Sequence, residues 1–172
     1  CEYFKSNNGA QGFEADHYLR LHGNYSQSFA QKSLKVILSD DLGQQYIDYT
    51  IIPEKPNVTK YKSFNVRNGG VDNFPCGIGM AFDYPTHFAD DFQQRAASTT
   101  HVDYIGSQPC IVFLNGFYWG VYEIRERGDE NYLEQNHGIN PDKVDIIRFE
   151  NDVLEGSFDN FANASNFVIT NS

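Results

Sequence analysis

A loop of small polar residues followed by two lysines is the part of the chain best suited to bind phosphate groups. Residues 22–31 form this loop, with hydroxyl groups at Ser26 and Ser28, and Lys32 and Lys35 follow it. Phosphate binding requires positive charge and hydrogen-bond donors supplied by a loop. The pattern therefore predicts a phosphate site, although the loop has a single glycine rather than a glycine-rich repeat. The spacing leaves open that both lysines are solvated strand residues.

Two arginines lie at predicted strand positions on polar faces. Arg20 and Arg67 each carry a planar guanidinium, whose fork of donors suits phosphate or carboxylate oxygens. Both are therefore candidates for the same site. The alternative is that each forms a structural ion pair, with Asp48 or Glu126 as the partner.

Metal-centred chemistry and acid-pair chemistry are not supported by the sequence. The histidines do not have the spacing of metal ligands. Glu123 and Glu126 lie three residues apart in one predicted strand, so their side chains point to opposite faces and cannot form a carboxylate dyad. We therefore predict no metal site and no catalytic residue within this chain.

A β-hairpin is predicted around Asn115-Gly116, which separates two β-prone runs at 111–114 and 117–124. Asn-Gly tolerates the positive φ angles of a two-residue hairpin turn. In this register three pairs face each other: Leu114 with Phe117, Phe113 with Tyr118, and Val112 with Trp119. We therefore expect Trp119, the only tryptophan, to lie in or beside the core.

The elements that must position these residues form an α+β fold with an antiparallel sheet. Further strands are predicted at 18–22, 33–38, 45–52, 62–67 and 144–149. In the second of these, alternation turns Leu34, Val36 and Leu38 inward and Lys35 outward.

Two helices are predicted. One spans residues 87–98, with Thr86 as its N-cap and Phe88, Phe92 and Ala96 as its buried stripe, and it packs on the sheet. A short helix begins at Asp129 and stops at Gly138, a typical left-handed end.

Length and composition favour one sheet-rich domain. The chain has 172 residues, of which 15% are aromatic. A net charge of −10 argues against a nucleic-acid surface, which needs a basic stripe. No apolar run of about 18 residues occurs, so no membrane span is expected.

The three cysteines, Cys1, Cys76 and Cys110, allow one disulfide and a thiol, or three thiols. The thiol interpretation is favoured, because Cys110 opens an apolar strand and behaves there as a small hydrophobic residue. Since the first residue is Cys1 rather than Met, we expect a removed leader or a piece of a longer protein.

Four motifs in sequence order resemble the CotH family, the spore-coat protein H kinases. The main one is the N-G-x-Y-W-G-x-Y-x-x-x-E hairpin from Asn115 to Glu126, followed by D-x-x-Y-L from Asp129. The others lie at 20–35, 64–70 and 144–157. The resemblance covers about 140 residues, and it is the order of the motifs that makes it specific.

The resemblance implies a nucleotide-binding N-terminal lobe of a kinase-like fold, in a secreted or cell-surface protein kinase that uses ATP with Mg²⁺. It implies an N-terminal extension at 1–15 and a lobe at 16–172, with a hinge near 124–129 and the start of the next lobe. Lys32 or Lys35 would contact phosphate, and Glu126 resembles the hinge position beside the adenine. From the residues alone, Glu126 is equally a salt-bridge partner of Arg125 or Arg127.

The sequence departs from the family pattern in lacking the catalytic loop and the Pro-Trp-Asp metal segment, because its tryptophan follows Tyr118. We therefore expect the chain alone to transfer no phosphate. The alternative function is a non-catalytic module on the same scaffold. It would bind a protein or glycan through exposed aromatic residues such as Tyr3, Phe4, Tyr61 and Phe74.

Overall fold

The computed structural model describes residues 1–72, 86–149 and 152–171, which belong to a unit of residues 1–127 and a unit of residues 128–172. The predicted roles of Cys76 and Phe74 lie outside the described residues. Cys1 and Cys110 are both free thiols. The α+β class predicted from the sequence is confirmed.

A five-stranded antiparallel sheet forms the centre of the first unit. Its strands, in chain order, are β3 (Tyr18–His22), β4 (Ser33–Ile37), β7 (Ser63–Arg67), β8 (Ser107–Leu114) and β9 (Phe117–Arg125). They lie side by side in the order β3-β4-β7-β9-β8. The crossover from β7, in the middle of the sheet, to β8, at its edge, carries the helix α1 (Ala89–Ala97).

One face of the sheet is apolar and forms the core. Strand alternation sends six buried side chains to this face: Leu34, Val36, Phe64, Val66, Tyr122 and Ile124. The predicted inward set of β4 is confirmed, and Lys35 is half-buried on the opposite face. The sheet therefore separates an apolar core from a polar face.

Two small antiparallel pairs belong to the apolar side. The strands β1 (Glu2–Phe4) and β2 (Gln11–Glu14) form a hairpin in residues 1–15, for which the sequence predicted no strand. The strands β5 (Ile47–Asp48) and β6 (Lys60–Tyr61) replace the longer strand predicted at 45–52. That strand is short because Ile51 and Ile52 leave the ladder and fill the core, with exposed fractions of 1% and 0%.

The hairpin of β8 and β9 has the predicted turn but contains a bulge. Leu114 pairs with Phe117 and Phe113 with Tyr118 as predicted, and Val112 pairs with Gly120 instead of Trp119. The positive φ of Gly120, 141°, accommodates the extra residue. The predicted pairing of Val112 with Trp119 is therefore wrong. Trp119, expected in or beside the core, is 45% exposed and is not among the described hydrophobic residues that pack in or against it.

The helix α1 packs through its polar side, contrary to the prediction. Phe88 and Phe92 are 54% and 65% exposed, whereas Asp91 is buried. The N-cap is Phe88 rather than Thr86. Asp72 takes over the capping role, because its carboxylate accepts the Ala89 N–H at 3.0 Å. The i, i+4 spacing of Phe88 and Phe92 predicted a buried stripe. Both are exposed because the sheet face under the helix is polar.

The described residues of the second unit form two helices and a hairpin. The helix α2 (Glu130–His137) begins at Asp129, whose carboxylate accepts the Tyr132 N–H at 3.2 Å, and ends at Gly138, as predicted. The strands β10 (Ile146–Arg148) and β11 (Asp152–Glu155) pair, and α3 (Asp159–Thr170) follows. The sequence predicted neither β11 nor α3.

Candidate functional site

The polar face of the sheet carries a row of basic residues across neighbouring strands. Arg20 in β3 lies directly opposite Lys35 in β4, which lies opposite Asn65 in β7, which lies opposite Arg125 in β9. Directly paired residues in a ladder share a face, with their Cβ atoms about 5 Å apart. Three of these four side chains are cationic, so the row concentrates positive charge.

A second row begins one step along the same face. Arg67 in β7 pairs with Glu123 in β9. Arg67 is half-buried and Glu123 is only 4% exposed. The face therefore has two buried or half-buried arginines, Arg67 and Arg125, with one buried acid next to them.

The helix α1 supplies the counter-charge for these arginines. The Asp90 carboxylate forms ion pairs with Arg67 and with Arg125, through the Nη1 atom of each. The neighbouring Asp91 accepts a hydrogen bond from the Ser107 hydroxyl and one from Arg95 Nε, at 2.8 Å in the second case. The helix thus places acids over the basic row.

His22 lies at one end of the basic face. His22 ends β3, two residues from Arg20 and on the same side of the strand. Burial lowers the pKa of its imidazole, and the charges of Arg67 and Lys35 lower that pKa further. Burial is the larger cause, and the further lowering reflects the proximity of these cations to the ring.

Three groups in the site have no hydrogen-bond partner among the described residues. They are the Asn65 Oδ1, both carboxylate oxygens of Glu123 and the Arg125 Nε, and all are buried. Burial, followed by the charge of Asp91, raises the pKa of Glu123. Native proteins rarely leave such groups unpaired, and ordered water commonly supplies the missing partner.

The loop candidates lie beyond the end of the basic row. Ser26 and Ser28 belong to a 3-10 turn spanning Tyr25–Ser28. The Lys32 Nζ donates to the Gln27 carbonyl at 2.7 Å, so this ammonium ties the loop together. Of the two candidate lysines, Lys35 lies on the basic face.

The Glu126 side chain lies away from the other predicted site residues. Its carboxylate accepts from the Lys55 Nζ and from the Gly106 N–H, each at 2.7 Å. Arg125, one of the two arginines expected to pair with it, pairs with Asp90 instead, and Arg67 also pairs with Asp90 rather than with Glu126 or Asp48. Glu126 is therefore tied to Lys55 and Gly106, and its role at the hinge beside the adenine stays a prediction.

The structure brings together Arg20, Lys35 and Arg67 and adds residues that the sequence did not single out as binding residues. The additions are Arg125, Glu123, Asn65 and His22. The sequence signal for these added residues was the alternation along β9, which places Glu123 and Arg125 on the same face. Two charged residues on one face of an otherwise apolar strand require partners there, and the sequence does not say which helix face supplies them.

Comparison with known proteins decides the family. The model of the CotH kinase protein family matches residues 19–168, a range that contains the five-stranded sheet from Leu19 onwards, α1 and α2. The chain belongs to the CotH kinase protein family. The predicted resemblance to the CotH family is thereby confirmed. Comparison with curated proteins gave no match.

In residues 1–72, 86–149 and 152–171, no three His, Cys, Asp or Glu side chains are grouped as ligands for a metal ion. Over the same residues, each helix is too short or too polar to cross a membrane.

Proposed function

We propose that the polar face of the sheet binds the phosphate groups of ATP, as the nucleotide-binding lobe of a CotH-like protein kinase. The observation that carries this proposal is the alignment of Arg20, Lys35 and Arg125 in one cross-strand row, with Arg67 in the next. Guanidinium and ammonium groups donate to phosphate oxygens with charge-assisted hydrogen bonds.

The distribution of charge supports an anionic ligand at this place. The whole chain has a net charge of −10, which disfavours anions in general. Solvent screens the distant surface acids more than it screens the partly buried cations of this face, where Asp90 offsets part of the charge of Arg67 and Arg125. The lowered pKa of His22 fits the same local potential.

The pairing of α1 with the sheet supports the likeness to a kinase lobe. In protein kinases, a lysine of the third strand forms an ion pair with a glutamate of the helix, and this pair must be in place for activity. Here the third strand of the main sheet in chain order is β7, and its Arg67 pairs with Asp90 of α1. Arginine and aspartate would fill the roles of lysine and glutamate.

ATP would bind this site through its phosphates, to which Arg20, Lys35 and Arg67 would donate hydrogen bonds. When bound, ATP supplies the phosphoryl group for transfer. The family implies magnesium as well. Among the described residues, no three His, Cys, Asp or Glu side chains are grouped as ligands for a metal ion. No step of the proposed function in this chain therefore passes through the metal. The expected affinity is weak, on the order of a millimolar or about 4 kcal/mol.

Phosphorus NMR of ATP tests the proposal. Addition of the 172-residue chain should broaden the phosphate resonances of ATP, and Lys35→Ala should remove most of the effect. Lys60→Ala is the matched control, because Lys60 is an exposed lysine of the separate β5–β6 pair. Equal broadening by Lys35→Ala and the native chain would reject the phosphate role of the basic row.

A second function is favoured by the exposed tip of the β8–β9 hairpin. Phe113, Phe117 and Tyr118 are 61%, 76% and 62% exposed. Exposed aromatic side chains suit a protein or glycan partner. Two of the aromatic residues predicted for such a role differ in exposure. Phe4 is 53% exposed, whereas Tyr61 is buried in the core, so the prediction for Tyr61 is wrong. Tyr3 stacks on Phe13, with ring centroids 5.2 Å apart.

The cellular location and the phosphate acceptor are proposed from the family alone. We propose a secreted or cell-surface protein with a protein substrate or a surface partner. Detection of the protein in the culture medium or on intact cells by an antibody would test the location. Recovery only from the cell interior would reject it.

A further inference from the structure

We propose that Glu123 is a positioning residue that competes with Asp90 for Arg67 and Arg125, and that this exchange docks and releases α1. With α1 docked, both arginines pair with Asp90. With α1 released, Glu123 becomes their acceptor. The proposal concerns the helix and the sheet alone, so it stands or falls independently of ATP binding.

The sheet holds Glu123 where it can reach both arginines. Glu123 is the direct cross-strand neighbour of Arg67 and lies two residues from Arg125 on the same face of β9. Such neighbours have Cβ atoms about 5 Å apart, a gap that long side chains bridge by a change of rotamer. A rearrangement of side chains alone would therefore exchange one acid for the other.

Of the two acids next to the arginines, Asp90 is paired with them, whereas Glu123 is not hydrogen-bonded to any described residue. Neither oxygen of Glu123 has a hydrogen-bond partner among the described residues, although the side chain is 4% exposed. The Arg125 Nε is also buried without a partner. A buried carboxylate next to a guanidinium with an unused donor is the partner that Arg125 would need if Asp90 left.

The attachment of α1 is suited to release, because polar groups hold it to the sheet. Besides the Asp90 pairs, the Gln94 Oε1 accepts the Ile105 N–H at 2.8 Å, and Arg95 donates to the Ser107 carbonyl at 3.1 Å. The phenylalanines of the helix, Phe88 and Phe92, are more than half exposed. Release of α1 would therefore expose little additional apolar surface to water.

Protonation links Glu123 to the position of the helix. In the docked state, burial and the charge of Asp91 raise the pKa of Glu123. In the released state, pairing with two arginines would lower that pKa. The docked state therefore binds a proton more tightly, so docking is favoured below the pKa of Glu123 in the docked state and is lost as the pH rises through it.

Several other charged groups face Glu123. The helix presents Asp90 and Asp91, and burial raises the pKa of Asp91. From the 3-10 turn at 70–72 comes Asp72, whose hydrogen bonds to Thr86 and Ala89 lower its pKa despite burial. The strand β8 presents the uncharged Pro109. His87 precedes the helix next to Asp72, and it is retained in every variant below.

Hydrogen–deuterium exchange on the 172-residue chain tests the proposal. Exchange of the amides of α1 is followed from about pH 4 to about pH 8, a range that starts near the ordinary glutamate pKa of about 4.3 and extends well above it. The rates are referred to those of β4. Protection of α1 should fall about tenfold for each unit by which the pKa of Glu123 differs between the two states.

Three variants identify the group responsible. Glu123→Gln should keep α1 protected and remove most of the pH response, because the amide cannot ionise. Asp91→Asn should retain a smaller response, because burial still raises the pKa of Glu123. Asp90→Asn should leave α1 exchanging rapidly throughout the range. A full response in Glu123→Gln, or native protection in Asp90→Asn, would overturn the proposal.

The native chain gives a test that needs no variant. Carbon NMR of the Glu123 carboxyl group should yield a midpoint that coincides with the loss of protection in α1. Different midpoints, or protection of α1 that does not change with pH, would likewise overturn the proposal.

Discussion

The Lys55 Nζ lies 2.7 Å from the Glu126 carboxylate, and both side chains are buried, with exposed fractions of 7% and 4%. Lys55 also donates to the Tyr104 carbonyl at 2.8 Å and lies 4.3 Å from the centre of the Tyr104 ring. Glu126 accepts the Gly106 N–H. The pair thus ties the end of β9 to the segment that leads into β8.

Breaking this pair from one side should destabilise the first unit strongly. Lys55→Met leaves the Glu126 carboxylate buried without its cation, which costs about 3–5 kcal/mol in comparable cases. Urea denaturation followed by far-UV circular dichroism measures the loss. The double variant Lys55→Met with Glu126→Leu should recover a large part of it. A single variant as stable as the native chain would contradict the burial of the pair.

Gly106 should tolerate no side chain. A Cβ at this position would lie 2.9 Å from Glu126 Oε2 and 3.2 Å from Cγ2 of Ile52, which is itself completely buried. Overpacking of this kind typically costs about 1–3 kcal/mol, so Gly106→Ala should lower the denaturation midpoint. An unchanged midpoint would show that the segment moves aside without cost.

The two large aromatic residues of β9 should differ in their contribution to stability. Tyr122 is 1% exposed and its hydroxyl donates to the Lys32 carbonyl at 2.9 Å, whereas Trp119 is 45% exposed. Tyr122→Ala should cost about 3–5 kcal/mol, as for other buried aromatic residues, and Trp119→Ala should cost clearly less. Thermal denaturation compares them. A larger loss for Trp119→Ala would favour the register without a bulge.

The elements that local sequence determines were predicted correctly. The Asn115-Gly116 turn, the alternation of β4, and the cap residues Asp129 and Gly138 of α2 are all in the structure. Each depends on residues adjacent in the chain, whose backbone preferences act without tertiary partners. The presence of α1 also follows from its local pattern.

The features that depend on distant partners were not predicted correctly. The orientation of α1 depends on Arg67 and Arg125 beneath it, so Phe88 and Phe92 face outward despite their helical spacing. The partner of Glu126 is Lys55, which is distant in sequence. Which charged groups meet across a fold is a tertiary property that a single sequence does not determine.

The imidazole of His22 should titrate below the ordinary histidine value of about 6.5. Because its pKa is lowered on folding, the unfolded chain binds more protons, and this group reduces the free energy of unfolding as the pH falls through the unfolded value. Lys35→Ala should raise the pKa of His22, since one cation is removed. Proton NMR of the imidazole measures it.

His17 is the control for this titration. Burial lowers the pKa of His17, and the N-terminal amine lowers it further. Since Lys35 is not among the causes of that shift, Lys35→Ala should not change the titration of His17. A rise in the pKa of His17 equal to that of His22 would show that the substitution changes the fold rather than the local potential.

The most direct test of the central claim is to locate ATP on the chain by backbone amide NMR. The account predicts concentration-dependent shifts clustered at 20–35, at 65–67 and at 122–128, smaller in Lys35→Ala than in Lys60→Ala. It also predicts that inorganic phosphate at the same concentration produces smaller shifts. Shifts scattered over the surface, or equal shifts with phosphate and with ATP, would contradict a nucleotide site on the basic face of the sheet.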